Sequence, residues 1–551
     1  MGPDPELKMP DYSRLTPLVW GILWAALVAA ALSIRPILPV DETRYVTVAW
    51  EMWLRGDFLV PHLNGATYSH KPPLLFWLIN AGWGIFGVNE WWPRLVAPLF
   101  GLASLSLSAL TCRRLWPASQ AYLIVPILLL GTFYWGIYTT LTMFDLMIAL
   151  WTLVGVNGLI DVWQGQRLRG WLLFAIAIGL GVLSKGPVIL VYLLPTALLA
   201  PYWAVSTPRP NWLAWYFGLV ASILVGAAIA LAWAIPAGLA GGEEYRNAIF
   251  WGQSAGRMVK SFAHREPFWW YLAILPGLLL PWLLWPSLLK KLWQNIQARS
   301  KNQADPGLRL ALVWAVATIL ILSAISGKRP HYLLPMFPAL AIGGAVLVAS
   351  LTKEDFLRSR WDMLPPALCL IILGIAAGFA PEIGVSIKRA ELTAEIDRWW
   401  ALPLIALSLF LIFKPPQGGY RRLFAIASIS AVFVISVQGV LQPVLNAGYD
   451  LRPVANYLAK AQQQGYAIAH FGKYHGQFQF LGRLEKPVTI TGDGEVLKWL
   501  AKTPQAKIVS VHTKLDSNGP KPDFVQKYRR KYLAVWDRAT VLAHPKAPHR
   551  N

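Results

Sequence analysis

The chain has 551 residues, 56% of them hydrophobic and 14% charged, with a mean hydropathy of +0.44, a balance that excludes a soluble enzyme of this length. Lys and Arg outnumber Asp and Glu by 50 to 28, for a formal net charge of +22. These cations sit in short loops between apolar runs, where they set topology and meet lipid phosphates, so membrane lipid rather than nucleic acid is the implied partner. Cys112 and Cys369 both fall in apolar helical stretches and support neither a disulfide framework nor a thiolate metal site.

Apolar stretches of about 20 residues, the length that crosses a bilayer as a helix, recur along most of the chain. The first, 16–34, lacks a small-residue cleavage site and reads as an uncleaved span. Further spans are predicted at 93–112, 119–138, 142–163, 170–184, 187–205, 212–237, 268–288, 309–326, 332–350, 363–380, 399–413 and 423–441, about thirteen in all. The segment 72–88 is apolar but short, led by Pro72 and interrupted by Gly82, Gly84 and Gly87. If it lies along the interface, Arg14, Arg113, Arg114, Arg167, Arg169, Arg209, Lys290, Lys291, Arg358, Arg360, Arg421 and Arg422 share one side, which the positive-inside bias makes cytoplasmic. If it spanned, the strongly basic loop 290–309 would be translocated, so 72–88 is read as interfacial.

Beyond the last span, 446–551 is polar, with strand-like runs at 466–471, 488–491 and 507–511. The expected fold is mainly α: a polytopic membrane domain over 1–445, with interfacial helices in an outward loop at 35–92, and a small soluble α/β domain over 446–551. The tail is expected on the outward side of the membrane, opposite the basic loops.

This topology brings several polar groups to the outward face, where charge at span ends is costly unless paired or functional. Asp41-Glu42-Thr43-Arg44-Tyr45 follows the first span. Asp41 reads either as a helix cap with Glu42 in the first turn, or with Glu42 as a reacting carboxylate. Tyr68-Ser69-His70-Lys71-Pro72-Pro73 places Lys71 at the start of a Pro-initiated helix, where an ammonium binds a lipid phosphate or snorkels to the interface. Asp145, three residues past Thr142, is a helix-start residue or a functional carboxylate at the membrane edge. Lys185, in Ser184-Lys185-Gly186, is an interfacial anchor or a substrate ligand. In the tail, His470, Lys473, Tyr474 and His475 form the one dense polar cluster, a solvated loop or a contact for the acceptor.

The Asp-Glu pair after the first span, the Tyr-x-x-Lys-Pro-Pro segment and Asp145 at a later helix start resemble the GT-C glycosyltransferases that use polyprenyl-phosphate sugars. Within them the chain is most similar to the aminoarabinose transferases of lipid A. The resemblance runs the length of the chain and includes Arg257, His264-Arg265 and Gly327-Lys328 with Pro330 and Tyr332. It implies inverting transfer of a sugar from undecaprenyl phosphate to lipid A or a related envelope acceptor, by a monomer in a bacterial inner membrane with its active site and tail in the periplasm. On that basis Asp41, Glu42 and Asp145 are the candidate catalytic carboxylates. Lys71, Arg44, Arg257 and Lys328 are candidates for the donor phosphate, and Tyr45, Tyr68, Arg265, Tyr332 and Lys185 for substrate contact. The chain departs from the family in carrying His70 where those transferases have Glu before the interfacial Lys. Some relatives hold zinc near that Glu, so His70 and His264 are candidate metal ligands, and zinc is the one cofactor the resemblance raises. The departure also weakens aminoarabinose as the sugar. Two other functions stay open on sequence: protein O-glycosylation from the same donor, and transport, although no internal repeat is visible.

Overall fold

The structure, a computed structural model, describes residues 15–205, 210–252, 265–298, 305–351, 360–386, 393–516 and 518–549. Arg257 and His264 lie outside the described residues, as do Arg14, Arg209 and Arg358 of the topology argument.

Among the described residues nine helices are long and apolar enough to cross a membrane, and each falls on one of the predicted spans. The chain is thus a multi-pass membrane protein. Of the other four predicted spans, three are interrupted and one is short. The segment 119–138 breaks into Ala121–Leu130 and Phe133–Thr139, bent by 71°. Thr132 caps the second half by accepting from the Trp135 amide at 3.2 Å, and the Ser430 hydroxyl donates to the Gly131 carbonyl. The segment 187–205 forms only Ile189–Leu198 and Ala200–Trp203, with prolines at 195 and 201. The segment 268–288 forms Trp270–Leu278 and a short 3₁₀ turn before the separate helix Pro286–Ala298. The last, Arg398–Phe413, is a shorter apolar helix.

Two helices fix the polarity of the bundle. Asp145–Trp163 and Arg167–Lys185 form a close antiparallel hairpin; a Cβ added at Gly158 would lie 2.6 Å from the Gly170 carbonyl oxygen, so only glycine permits the approach. At one end, buried Asp161 takes the Arg114 guanidinium, with Arg169 Nε at 3.4 Å. At the other end, about 24 Å away at 1.5 Å per residue, Asp145 meets Lys185.

That second end carries the non-spanning parts. Helix Asp41–Arg55 follows the first span, then a two-stranded hairpin, β1 (His62–Leu63) and β2 (Ala66–Thr67), and helix Leu74–Phe86. With 13 residues the last reaches about 20 Å, short of the ~30 Å hydrocarbon core. It packs instead on its neighbours: Asn80 Nδ2 donates to the Ala49 carbonyl at 3.1 Å, and Trp83 stacks on Phe480 of the tail with centroids 5.3 Å apart. Its C-terminal Ile85 and Phe86 stay exposed.

Helix Gly419–Tyr449 carries the chain out of the bundle into the tail, and helix Arg452–Gln463 leads into a five-stranded sheet. The strands are β3 (Ala467–Phe471), β4 (Thr489–Thr491), β5 (Ala506–His512), β6 (Phe524–Tyr528) and β7 (Lys531–Asp537), in the order β4-β3-β5-β7-β6. The β4-β3-β5 part is parallel and the β5-β7-β6 part antiparallel. Strands β3, β4 and β5 coincide with the predicted runs. Strand β6, at the sheet edge, is half solvated and reads as loop from sequence; it and β7 are additions. The sheet does not stand apart: Leu451, Val454, Val488 and Leu533 share one apolar cluster with Tyr45, Val46, Phe76 and Phe144. Thr47 Oγ1 donates to the Gly476 carbonyl at 2.7 Å and Trp50 Nε1 to the Leu484 carbonyl at 3.1 Å. The tail is thereby seated on helix Asp41–Arg55.

Candidate active site

Helix Asp41–Arg55 begins with two carboxylates whose surroundings separate them. Glu42 is 3% exposed and receives the Arg35 guanidinium in a fork, Nη1 at 2.6 Å and Nη2 at 2.9 Å. Its oxygens also accept from the Leu38 amide at 2.9 Å and the Thr142 amide at 2.8 Å. Burial pushes this carboxyl up, but Arg35 and the two amides more than offset it and hold it below the usual carboxylate range. With both oxygens fully engaged, Glu42 ties the first span to the Thr142 turn. The reacting role that sequence allowed it is corrected to a positioning one. Asp41, by contrast, is solvent-facing and paired only by Arg44 one turn on, side chains 57% and 19% exposed. The Arg44 guanidinium also lies 5.5 Å from the Tyr45 ring centroid.

The second group gathers around Asp145. Its Oδ1 accepts from Lys185 Nζ at 2.5 Å, and both side chains are largely buried. Its Oδ2 is buried with no hydrogen-bond partner among the described residues. Lys185 Nζ also stands 5.0 Å from the Tyr332 ring centroid. Lys71 Nζ lies 5.5 Å from the ring of Phe144, the residue before Asp145, and that ring is edge-on to Tyr45 at 4.8 Å and to Phe76 at 6.1 Å. Tyr68 joins through Phe76 at 6.2 Å and His70 at 5.4 Å. Burial raises the Tyr45 hydroxyl well above its ordinary pKa, which keeps it neutral. Asp41, Arg44, Tyr45, Tyr68, Lys71, Asp145, Lys185 and Tyr332, drawn from segments almost 300 residues apart, thus meet at one end of the bundle beneath the tail.

The remaining candidates make other contacts. Lys328 is buried, its ammonium donating to the Glu266 carbonyl at 3.0 Å and the Ile325 carbonyl at 2.6 Å. The cation pins a loop and keeps one of its three N–H donors beyond these two carbonyls. Arg265 is exposed and forms an isolated bridge with Gly327 on the same loop. His70 is exposed on the Tyr68 ring. Among the described residues no three His, Cys, Asp or Glu side chains are grouped to hold a metal, so His70 has no ligand set there and no step is built on zinc.

Sequence reasoning missed two groups. His331 packs on Tyr138 at 6.1 Å and Tyr332 at 4.8 Å, on the wall that faces Asp145. A polar residue directly after Pro330 at a span start was its available signal. Arg35, seven residues before Glu42, was legible as that carboxylate's partner from the charge alone.

This assembly of apolar spans, an interfacial loop with one carboxylate-and-lysine cluster, and a seated tail defines a membrane glycosyltransferase fold of the GT-C type. It superposes on the crystal structure of ArnT from Cupriavidus metallidurans in the apo state with a TM-score of 0.74 at 19% identity, covering 96% of this chain and 98% of that one. The same transferase bound to undecaprenyl phosphate gives 0.71 at 19% identity, over 96% and 98%. Residues 70–236 match the family described as dolichyl-phosphate-mannose-protein mannosyltransferase. An undecaprenyl phosphate-alpha-4-amino-4-deoxy-L-arabinose arabinosyl transferase of Pseudomonas fluorescens (strain Pf0-1) is 30% identical over 504 residues, 88% of this chain and 84% of that relative. The transferase of the same name from Erwinia tasmaniensis is 32% identical over 347 residues, 60% of this chain and 59% of its own. The alignment thus spans less than two thirds of that relative's length, as it does of the Aeromonas hydrophila one, at 64%. The chain belongs to the undecaprenyl phosphate-alpha-4-amino-4-deoxy-L-arabinose arabinosyl transferase family.

Proposed function

We propose that this protein transfers a sugar, 4-amino-4-deoxy-L-arabinose or a related one, from undecaprenyl phosphate to a lipid A phosphate or a related envelope acceptor. The work is done at the periplasmic face of the inner membrane. The observation that carries the proposal is the Asp145–Lys185 pair, with Lys71 across the Phe144 ring, at the membrane edge. As the bond from the anomeric carbon to the carrier phosphate breaks, charge grows on the departing oxygen. Cations fixed before the reaction stabilise that charge more than the ground state. Lys71 and Lys185 are the cations this reading assigns to the head group of the polyprenyl phosphate. Asp145 orients Lys185 through Oδ1 and leaves Oδ2 to accept from a polar group of the sugar. An acceptor phosphate is already anionic and needs positioning alone. An alcohol acceptor would need a base, and exposed Asp41 is the carboxylate free of a buried network.

The positive-inside bias supports the periplasmic orientation, with Arg114 and Arg169 at the end of the hairpin opposite Asp145. The match of residues 70–236 to a protein mannosyltransferase family supports a second reading, transfer to protein hydroxyls from the same class of donor. Purified protein given the polyprenyl-phosphate sugar and lipid A should release free polyprenyl phosphate and a lipid A carrying the sugar's mass. Unchanged lipid A beside a modified protein acceptor would select the second reading, and no release with either acceptor would reject both.

A further inference from the structure

A cavity of about 570 Å³ opens in the tail beside the start of helix Asp41–Arg55, and none of its function is accounted for by the Asp145 cluster. Its wall carries Lys473, His475, Arg529, Arg530 and Lys531, and its rim reaches Val40, the residue before Asp41. Among the described residues no carboxylate lines it. Concentrating like charge around a concavity costs self-repulsion, and an anionic occupant relieves it. The volume falls within the usual ~300–1,000 Å³ for small-molecule sites, well beyond what a lone phosphate fills.

The wall is built, not incidental. Arg529 and Arg530 form the two-residue turn between β6 and β7, closed by the Tyr528–Lys531 pair. Arg529 sits at φ +57°, a left-handed position that Asn or Gly ordinarily takes in such a turn. Two hydrogen bonds hold the turn over the site: Arg529 N donates to the Gly448 carbonyl at 2.6 Å, and Arg529 Nη2 to the Pro39 carbonyl at 3.2 Å. Across the opening, burial and the charges of Arg44, Lys473 and Arg529 depress the His475 pKa, with Asp41 acting against them.

We propose that this tail cavity is a second anion subsite, which holds a phosphate-bearing saccharide head group of the acceptor and presents it to the Asp41 edge of the active site. The inference rests on the proposed transfer to an envelope glycolipid and names the contact that selects it. Arg530 and Lys531 bind the phosphate as cations, and Lys473 and His475 close on it from the β3 side. The donor's phosphate, by contrast, goes to Lys71 and Lys185.

The test uses full-length protein in lipid nanodiscs and the exposed pair Arg530→Ala/Lys531→Ala, with Lys498→Ala/Lys502→Ala as a control of equal charge change outside the cavity. Binding is measured for diphosphoryl lipid A, for the same lipid after removal of its phosphates, for inorganic phosphate and for undecaprenyl phosphate. The cavity pair should weaken diphosphoryl lipid A by about tenfold or more, leave undecaprenyl phosphate and the unfolding temperature unchanged, and lose the salt dependence that the control keeps. Inorganic phosphate should compete only weakly. Equal affinity of wild type and variant for diphosphoryl lipid A would overturn the subsite. So would equal wild-type affinity for the dephosphorylated lipid, or weakening of undecaprenyl phosphate instead. Release of polyprenyl phosphate by the wild type, measured in parallel, reports on the transferase reading separately from the subsite.

Discussion

Replacing the members of the Asp145–Lys185 pair separates a structural role from a chemical one. The two side chains are 3% and 12% exposed and approach to 2.5 Å. With charge centres about 3.5 Å apart and an effective dielectric near ~20, their attraction is about 5 kcal/mol, in line with the ~3–5 kcal/mol that removing one partner of a buried pair costs. Lys185→Met leaves Asp145 buried and uncompensated and should lose stability of that order. Asp145→Asn should lose less, because its amide oxygen still accepts from Lys185 and Tyr332 still faces the ammonium. Combining the two should recover most of the stability, since no isolated charge is left inside. Turnover should behave differently: each single variant and the double should release polyprenyl phosphate at least about 100-fold more slowly than wild type. Urea unfolding of the detergent-solubilised protein gives the first quantity and a radiolabelled donor the second. A double variant that regains turnover together with stability would refute the assignment and make the pair a structural bridge.

Lys328→Met should lower the unfolding temperature while leaving the donor KM within about twofold, because two carbonyls hold its ammonium in the loop; a large rise in donor KM would assign Lys328 to the phosphate. Asp41→Asn should reduce kcat/KM for the acceptor by about tenfold or more without changing donor affinity, read from initial rates at varied acceptor. Unaltered rates would remove Asp41 from the site. Glu42 is held below its ordinary carboxylate range, so its stabilisation is complete at neutral pH and is lost as pH falls through the depressed folded value. The melting temperatures of wild type and Glu42→Gln should therefore differ most at pH ~7 and converge below about pH 4; a constant gap would show that the carboxylate is not what Arg35 holds.

Much of this architecture is legible in the chain because bilayers and strands impose simple patterns. Nine spans announce themselves by length and hydropathy, and the Pro72-led segment by being too short. The interrupted spans were harder: the composition of 119–138 is that of a crossing helix, and only the packing of Ser430 on the Gly131 carbonyl shows why the chain turns there. Strand β6 was hidden because an edge strand keeps one side in water. In the site, charged residues at apolar run ends marked Lys71, Asp145 and Lys185, since such groups are expensive unless used. Asp41 and Glu42 are adjacent carboxylates whose roles part only when Arg35 and the Thr142 amide close on one of them. His331 and the Arg529-Arg530 turn went unread because their partners come from segments distant in sequence.

The account stands on the position of the carrier phosphate. A cryo-electron microscopy map of the protein with undecaprenyl phosphate bound should place that phosphate within about 4 Å of the Lys71 or Lys185 ammonium, beside Asp145 and under the tail. Density for it at the Arg114–Asp161 end of the bundle, or in the tail cavity away from both lysines, would contradict the account.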